Sequence, residues 1–225
     1  MTIRKEHQNS KAYWDARANS WSISSASISY LTYFYEAWND RLETPLLDVG
    51  CGSGKFLYLA VTEGRTDVYG IDISSKLIEI ARTRLHPLLG EDTNQRIIAL
   101  DMLDLSEHFD KEFFRSLIFS GVLQQTVYSG ARPTIQQLAY VSSPSTVMYF
   151  STRSISTPPQ NGVLVERERG TYRLPDGVVK TYFARTDIEE LIDGLFEIVE
   201  LDEKPQTEKL GGVEIANWEG VLRRL

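Results

Sequence analysis

Between Leu46 and Phe56 the sequence reads LLDVGCGSGKF, an apolar run that ends in an acid and passes at once into glycines at 50, 52 and 54. Glycine tolerates positive φ and leaves no side chain between ligand and backbone. Gly50, Gly52 and Gly54 therefore make a strand-to-helix loop over which a ligand can touch main-chain atoms. A dinucleotide loop would read G-x-G-x-x-G. Counted from Gly50, its last glycine falls on Lys55, and counted from Gly52, on Leu57. A pyrophosphate loop is thus poorly matched, and a plain tight turn is the other reading of these glycines.

Three acids stand where β-rich runs end. Asp48 lies just before the glycines and could meet an ammonium, directly or through water. Asp72 ends the second run, where a carboxylate can accept two hydrogen bonds from a ribose diol. Asp101 ends the third and is followed by apolar Met102 and Leu103, which suits an adenine: carboxylate to the exocyclic amine, apolar surface to the ring. A ligand with ammonium, ribose and adenine but no phosphate is S-adenosylmethionine. Solvated loop acids are the alternative for Asp72 and Asp101. The single cysteine, Cys51, sits inside the loop and reads as small-residue packing rather than a nucleophile.

The elements that must hold these residues alternate. Strands are expected at 46–50, 67–73, 96–100, 116–122 and 145–152. Helices are expected at 53–64, closed by Gly64, over SSKLIEIARTRLHPL with Ser74 or Ser75 as N-cap, and over TIQQLAYVSS after Pro133. The βαβα order predicts a parallel sheet covered on both faces. RTDIEELIDGL reads as a last helix capped by Thr186 or Asp187. FEIVELD and EIANWEGVLRRL are too close for a crossover and should pair antiparallel. The first 45 residues are rich in aromatics (Tyr13, Trp14, Trp21, Tyr30, Tyr33, Phe34, Tyr35, Trp38), and residues 153–185 look like an inserted hairpin turning at Pro175-Asp176-Gly177.

LLDVGCGSGKF, VYGIDIS and ALDMLDL resemble the first three motifs of class I S-adenosylmethionine-dependent methyltransferases. LIFSGVLQQT, YFARTDIEELIDGLFEIVEL and the N-terminal YWDARANSW are similar to segments of that family's small-molecule branch. The fold class implied is α/β: a Rossmann-like doubly wound sheet, mostly parallel, with a C-terminal antiparallel hairpin and an N-terminal helical lid. It would be a single domain over 1–225, with the lid in 1–45. By the resemblance, Gly50, Gly52 and Gly54 cradle the methionine portion, and Asp72, with Ile73 beside it, holds the ribose. Asp101 and the Met102 amide hold adenine, and Ser120 offers its carbonyl near the sulfonium. Tyr13 and Arg17 close over the cofactor, Arg17 toward its carboxylate. Two departures stand out. SSPST replaces the usual Pro-Gly-Gly-like turn before strand five, and Gln124 and Gln125 stand where a histidine is common.

The chain has 225 residues and a formal charge of −7, with no basic cluster longer than Arg223-Arg224. Attraction to nucleic acid is therefore disfavoured. No apolar run reaches the roughly 20 residues of a membrane helix. The opening MTIRKEHQNSKAYWD lacks a secretory core. One cysteine allows no internal disulfide, and these features favour the cytoplasm. A homodimer is compatible with them. Asp104 joins Asp101, but there is no histidine or cysteine cluster, so no metal is expected.

Methyl transfer from a sulfonium mainly requires alignment of the nucleophile. A hydroxyl acceptor generally needs a base as well. His7, in an arm that could fold over the site or stay disordered, is a candidate, as are Tyr128, Glu166 and Tyr172; His86 and His108 read as surface residues. Arg167, Arg169 and Arg173 could meet an acidic substrate or be a solvated hairpin edge. The function expected is S-adenosylmethionine-dependent methylation of an oxygen or nitrogen on a small-molecule acceptor. A protein or RNA substrate and a non-catalytic cofactor-binding protein are the alternatives. Asp72→Ala is expected to weaken cofactor binding and leave folding nearly unaffected.

Overall fold

The computed structural model describes residues 2–23, 39–206 and 215–225. The first element, α1 (Ile3–Ile23), is a helix. Then β1 (Leu46–Val49), α2 (Lys55–Thr62), β2 (Val68–Asp72), α3 (Ser75–Leu89), β3 (Ile97–Ala99) and β4 (Phe114–Ser120) alternate. After α4 (Tyr128–Val141) come the long β5 (Ser142–Arg153) and a small excursion. The excursion holds β6 (Val163–Leu164), β7 (Thr171–Arg173) and β8 (Val179–Thr181) in a separate antiparallel sheet. It has three strands rather than the two of a hairpin, and its last turn falls at Pro175-Asp176-Gly177 as expected, with Gly177 N–H donating to the Leu174 carbonyl. The chain ends with α5 (Arg185–Ile192) and the paired β9 (Phe196–Gln206) and β10 (Ile215–Arg224).

The main sheet has seven strands in the order β3-β2-β1-β4-β5-β10-β9, parallel through β5 and antiparallel beyond it. Every residue of β1 is buried, as a central parallel strand requires. Leu46 packs with Phe56, Leu57 and Ile118 on one face, and Leu47 with Ile71, Phe119 and Phe150 on the other. Chain direction across the sheet reverses between β1 and β4, and the carboxyl ends of strands at such a switch point are where open α/β sheets bind ligands.

Two boundaries differ from expectation, for tertiary reasons. α4 begins at Tyr128, ahead of Pro133. Its first N–H groups are met from the excursion: Tyr128 N–H donates to Thr171 Oγ1 at 3.2 Å and Ser129 N–H to Glu168 Oε2 at 2.8 Å. β5 begins before SSPST is finished, with Ser145 left-handed at φ 67°. Thr146 Oγ1 and Ser143 Oγ both donate to the Phe114 carbonyl there, holding a turn that glycine would adopt unaided.

Candidate active site

The glycine loop is left-handed at all three glycines, with φ of 76° at Gly50, 54° at Gly52 and 72° at Gly54. The glycines have different tasks. A Cβ on Gly50 would lie 2.3 Å from Val122 Cγ2, so the loop packs directly on the segment after β4. A Cβ on Gly54 would press on Ala81 and Leu85 of α3. Gly54 thus packs the loop against α3 and is not among the residues that line the cavity. Gly50→Ala should lower stability by about 2–4 kcal/mol, from left-handed strain plus overpacking. Urea unfolding of the Gly50→Ala, Val122→Ala double variant should recover the overpacking part only; full additivity of the two changes would show that the contact is not felt.

A cavity of about 560 Å³ opens at the strand tips, with α1 above it. Tyr13, Arg17, Asp48, Gly50, Gly52, Asp72, Ile73, Asp101, Met102 and Ser120 all line it. Asp48 is 5% exposed, and among the described residues none gives its side chain a hydrogen bond. Burial first, and then the Asp72 charge, push its carboxyl up to about 8. A buried acid left without a partner is costly, and the group that would satisfy this one is a cation. Asp72 is also buried, and its carboxylate accepts from Gly52 N–H at 2.9 Å and Ser74 N–H at 2.8 Å. Burial raises its pKa to about 6, against the lowering by those two bonds. Asp72 therefore ties the glycine loop to the start of α3 rather than facing solvent, and the expectation that its loss leaves folding unaffected is corrected accordingly. Cys51 packs against Gly70, and burial pushes its thiol well up, away from nucleophilic use.

His7 is not on a disordered arm. It is 2% exposed on α1, with Nδ1 2.8 Å from Asp101 Oδ1 and Nε2 2.8 Å from Thr126 Oγ1. Leu103 N–H and Arg4 also reach the Asp101 carboxylate. Burial opposes ionisation there, but His7, Leu103 N–H and Arg4 outweigh it and hold that carboxyl below the usual range. Asp15 accepts from Ser74 Oγ at 2.6 Å, and Glu6 pairs with Arg173 at 2.9 Å. Arg17 lies over the Tyr13 ring and 3.8 Å from Asp176 at the excursion's turn. The helix is thereby fastened both to the sheet and to the excursion. His7→Ala removes bonds to a charged acceptor worth about 1.5–3 kcal/mol in such settings. Amide exchange in α1 should then rise by one to two orders of magnitude, roughly what that loss implies, while β1 and β4 stay protected. Unchanged exchange in α1 would show that His7 does not hold it.

The other candidate bases are elsewhere. Tyr128 contacts Arg169, Glu166 is an exposed partner of Arg167, and Tyr172 packs edge-on against Tyr182; none of them lines the cavity. Arg167, Arg169 and Arg173 are taken up by Glu166, by Asp187 with Glu190, and by Glu6. Asp187 sits one turn into α5, where its carboxylate accepts from Ala184 N–H, so it caps from inside the helix. Side chains that reasoning from the sequence missed also line the cavity: Arg153 at the end of β5, Lys180 in the middle of β8, and Asn217 on β10. They carry no local motif, so no sequence signal marks them. Of the aromatics expected in a pocket, Tyr13 and Trp14 line it. The side chain of Trp21 and residues Tyr30, Tyr33, Phe34, Tyr35 and Trp38 lie outside the described residues.

A family model described as a methyltransferase domain matches residues 41–161. No curated protein matches the chain significantly. Among solved structures, a Methanosarcina mazei protein titled a SAM-dependent methyltransferase superposes with a TM-score of 0.65 at 22% identity, covering 80% of this chain and 92% of that one. A Burkholderia thailandensis 1,6-didemethyltoxoflavin-N1-methyltransferase, with its substrate and S-adenosylhomocysteine bound, gives 0.72 at 14% identity over 100% and 91%. A Synechocystis magnesium protoporphyrin IX methyltransferase with bound SAM gives 0.60 at 17% over 89% and 79%. At these identities the structural likenesses establish the fold.

Proposed function

The chain belongs to the methyltransferase-domain family, and from that premise we propose that it transfers a methyl group from S-adenosylmethionine to an oxygen or nitrogen of a small metabolite. The carrying observation is Asp48, a buried carboxylate at the tip of β1 with no hydrogen-bond partner among the described residues, which fits the ammonium of that cofactor. Asp72 lies one strand over and takes the ribose hydroxyls while still holding the loop. Asp101, shared with His7, and the Met102 amide take the adenine. Tyr13 and Arg17 close the lid side, and Ser120 borders the position of the sulfonium. When bound, the cofactor supplies an activated methyl group. What remains for the chain is to align the acceptor and exclude water, and α1 above the strand tips serves both.

Support for a small acceptor comes from the size and roofing of the cavity, which lies within the roughly 300–1,000 Å³ of small-molecule sites. His7 has both ring nitrogens engaged and reads as a positioning residue rather than a base. An acceptor that reacts as a neutral amine, or that is already ionised, fits a site of this kind.

The test is calorimetric titration with S-adenosylhomocysteine, followed by turnover of a panel of small oxygen and nitrogen nucleophiles read as S-adenosylhomocysteine formed. Binding with methyl transfer to at least one acceptor is expected. No binding at millimolar cofactor would sink the proposal.

A further inference from the structure

The carboxylates that line the cavity gather at one end, while cations line it in more than one place, Arg17 of α1 and Lys55 of α2 among them. Its acids, Asp48, Asp72 and Asp101, come from the ends of β1, β2 and β3. Its cations at the opposite end, Arg153 and Lys180, come from the end of β5 and from the excursion. The strand order β3-β2-β1-β4-β5 keeps the two groups apart. At about 4.8 Å per strand, β5 stands about 10 Å from β1 and about 19 Å from β3. A cofactor held by the three acids leaves the basic end for a second molecule.

Arg153 differs in its surroundings from the arginines of the excursion. Arg167, Arg169 and Arg173 each face a carboxylate. The Arg153 guanidinium instead donates to the neutral Asn217 Oδ1 at 3.2 Å, and among the described residues it has no acidic partner. Lys180 lies between buried Val179 and Thr181, so strand alternation turns it to the opposite side, toward the cavity. In a chain of net charge −7, two cations kept on one wall of an internal cavity are a specific feature.

We infer that this end is an oxyanion subsite, and that the methyl acceptor carries a carboxylate or phosphate group bound by Arg153 and Lys180. A guanidinium fork matches either anion in two-point geometry, and the lysine adds a point charge. That the bound molecule is the methyl acceptor rests on the proposed methyl transfer; the anion subsite itself does not.

The test uses the full chain saturated with S-adenosylhomocysteine, and then the chain alone, titrated with benzoate, phenyl phosphate and neutral benzamide by calorimetry or ligand-observed NMR. One of the anions should bind at least about tenfold more tightly than benzamide; which one does so separates a carboxylate site from a phosphate site. In Arg153→Gln, and independently in Lys180→Met, that preference should fall by about half an order of magnitude or more. The S-adenosylhomocysteine isotherm reports whether each variant is folded with its cofactor half intact. Anions binding no better than benzamide, no binding of any probe, or a preference that survives both substitutions overturns the subsite. If anions are preferred while S-adenosylhomocysteine does not bind, methyl transfer falls and the subsite stands.

Discussion

Asp48→Asn protein will bind S-adenosylhomocysteine roughly a hundredfold more weakly than wild type, yet will unfold at the same or a higher temperature at pH 8. Both results follow from one carboxylate. Without ligand it is buried and unpartnered among the described residues, and its pKa of about 8 records the penalty of ionising it there, from burial first and from Asp72 second. Between the ordinary carboxylate range and pH 8 the native state holds a proton that the unfolded chain has released. Native stability therefore falls as pH rises through that window and levels off above it. An amide removes this penalty. The ammonium of the ligand reverses the balance, because an opposite charge favours ionisation. Losing one partner of a buried ion pair costs about 3–5 kcal/mol, part of which water returns, hence the hundredfold figure. Wild-type affinity should rise from pH 6 to pH 8 as the proton leaves Asp48, and the Asn variant should lose most of that slope. 5′-Methylthioadenosine, which has the adenine and ribose but no ammonium, should be nearly indifferent to the substitution. An Asn variant that binds S-adenosylhomocysteine like wild type would remove Asp48 from the site.

Asp72→Ala will weaken cofactor binding by roughly tenfold to several hundredfold, from lost charge-assisted bonds to the ribose. It will also destabilise the protein. The Asp72 carboxylate accepts two backbone N–H groups, from Gly52 and Ser74, and alanine leaves both without that acceptor. Unmade bonds of this kind cost about 1–3 kcal/mol each. Relief of a buried charge offsets part of this, since burial holds the Asp72 pKa near 6. The Asp72→Asn substitution separates the effects: the amide is uncharged but keeps one acceptor oxygen. Asp72→Asn should melt close to wild type at pH 7, and Asp72→Ala should lie about 1–3 kcal/mol below it in urea. Equal stability of the two variants would show that water serves those N–H groups as well as the carboxylate does.

The strand tips, the glycine loop and the acids that follow β1, β2 and β3 were legible because their signals are local. A buried parallel strand is a short apolar run, a left-handed turn selects glycine, and a helix cap such as Ser74 lies beside the helix it caps. The parallel sheet followed from the same alternation and the antiparallel C-terminal pair from the short link between its strands, whereas the strand order came from the tertiary structure. Local rules also explain the misplaced starts of α4 and β5. A proline and a serine-rich turn look like breaks until distant side chains supply the hydrogen bonds that make them continuous.

What the tertiary structure decided is who stands opposite whom. His7 meets Asp101 across 94 residues and Glu6 meets Arg173 across 167, and no periodicity reports a pairing at that separation. Asp48 and Asp72 both read from the sequence as ligand-facing acids, one toward an ammonium and one toward a ribose. Folding made one an acid with no hydrogen-bond partner among the described residues and the other a clamp on the loop, because Asp72 lies within reach of two N–H groups, that of Gly52 in the loop after β1 and that of Ser74 at the turn into α3. Arg153 and Lys180 were two unremarked basic residues in the chain, while Arg167, Arg169 and Arg173 stood out as a cluster. Packing of the excursion set Arg169 against Asp187 and Arg173 against Glu6, left Arg167 exposed beside Glu166, and placed Arg153 and Lys180 on the cavity wall. Composition and spacing along a chain set which elements form, but the electrostatic character of a cavity depends on which side chains several elements deliver to the same volume, and that is fixed only when they pack.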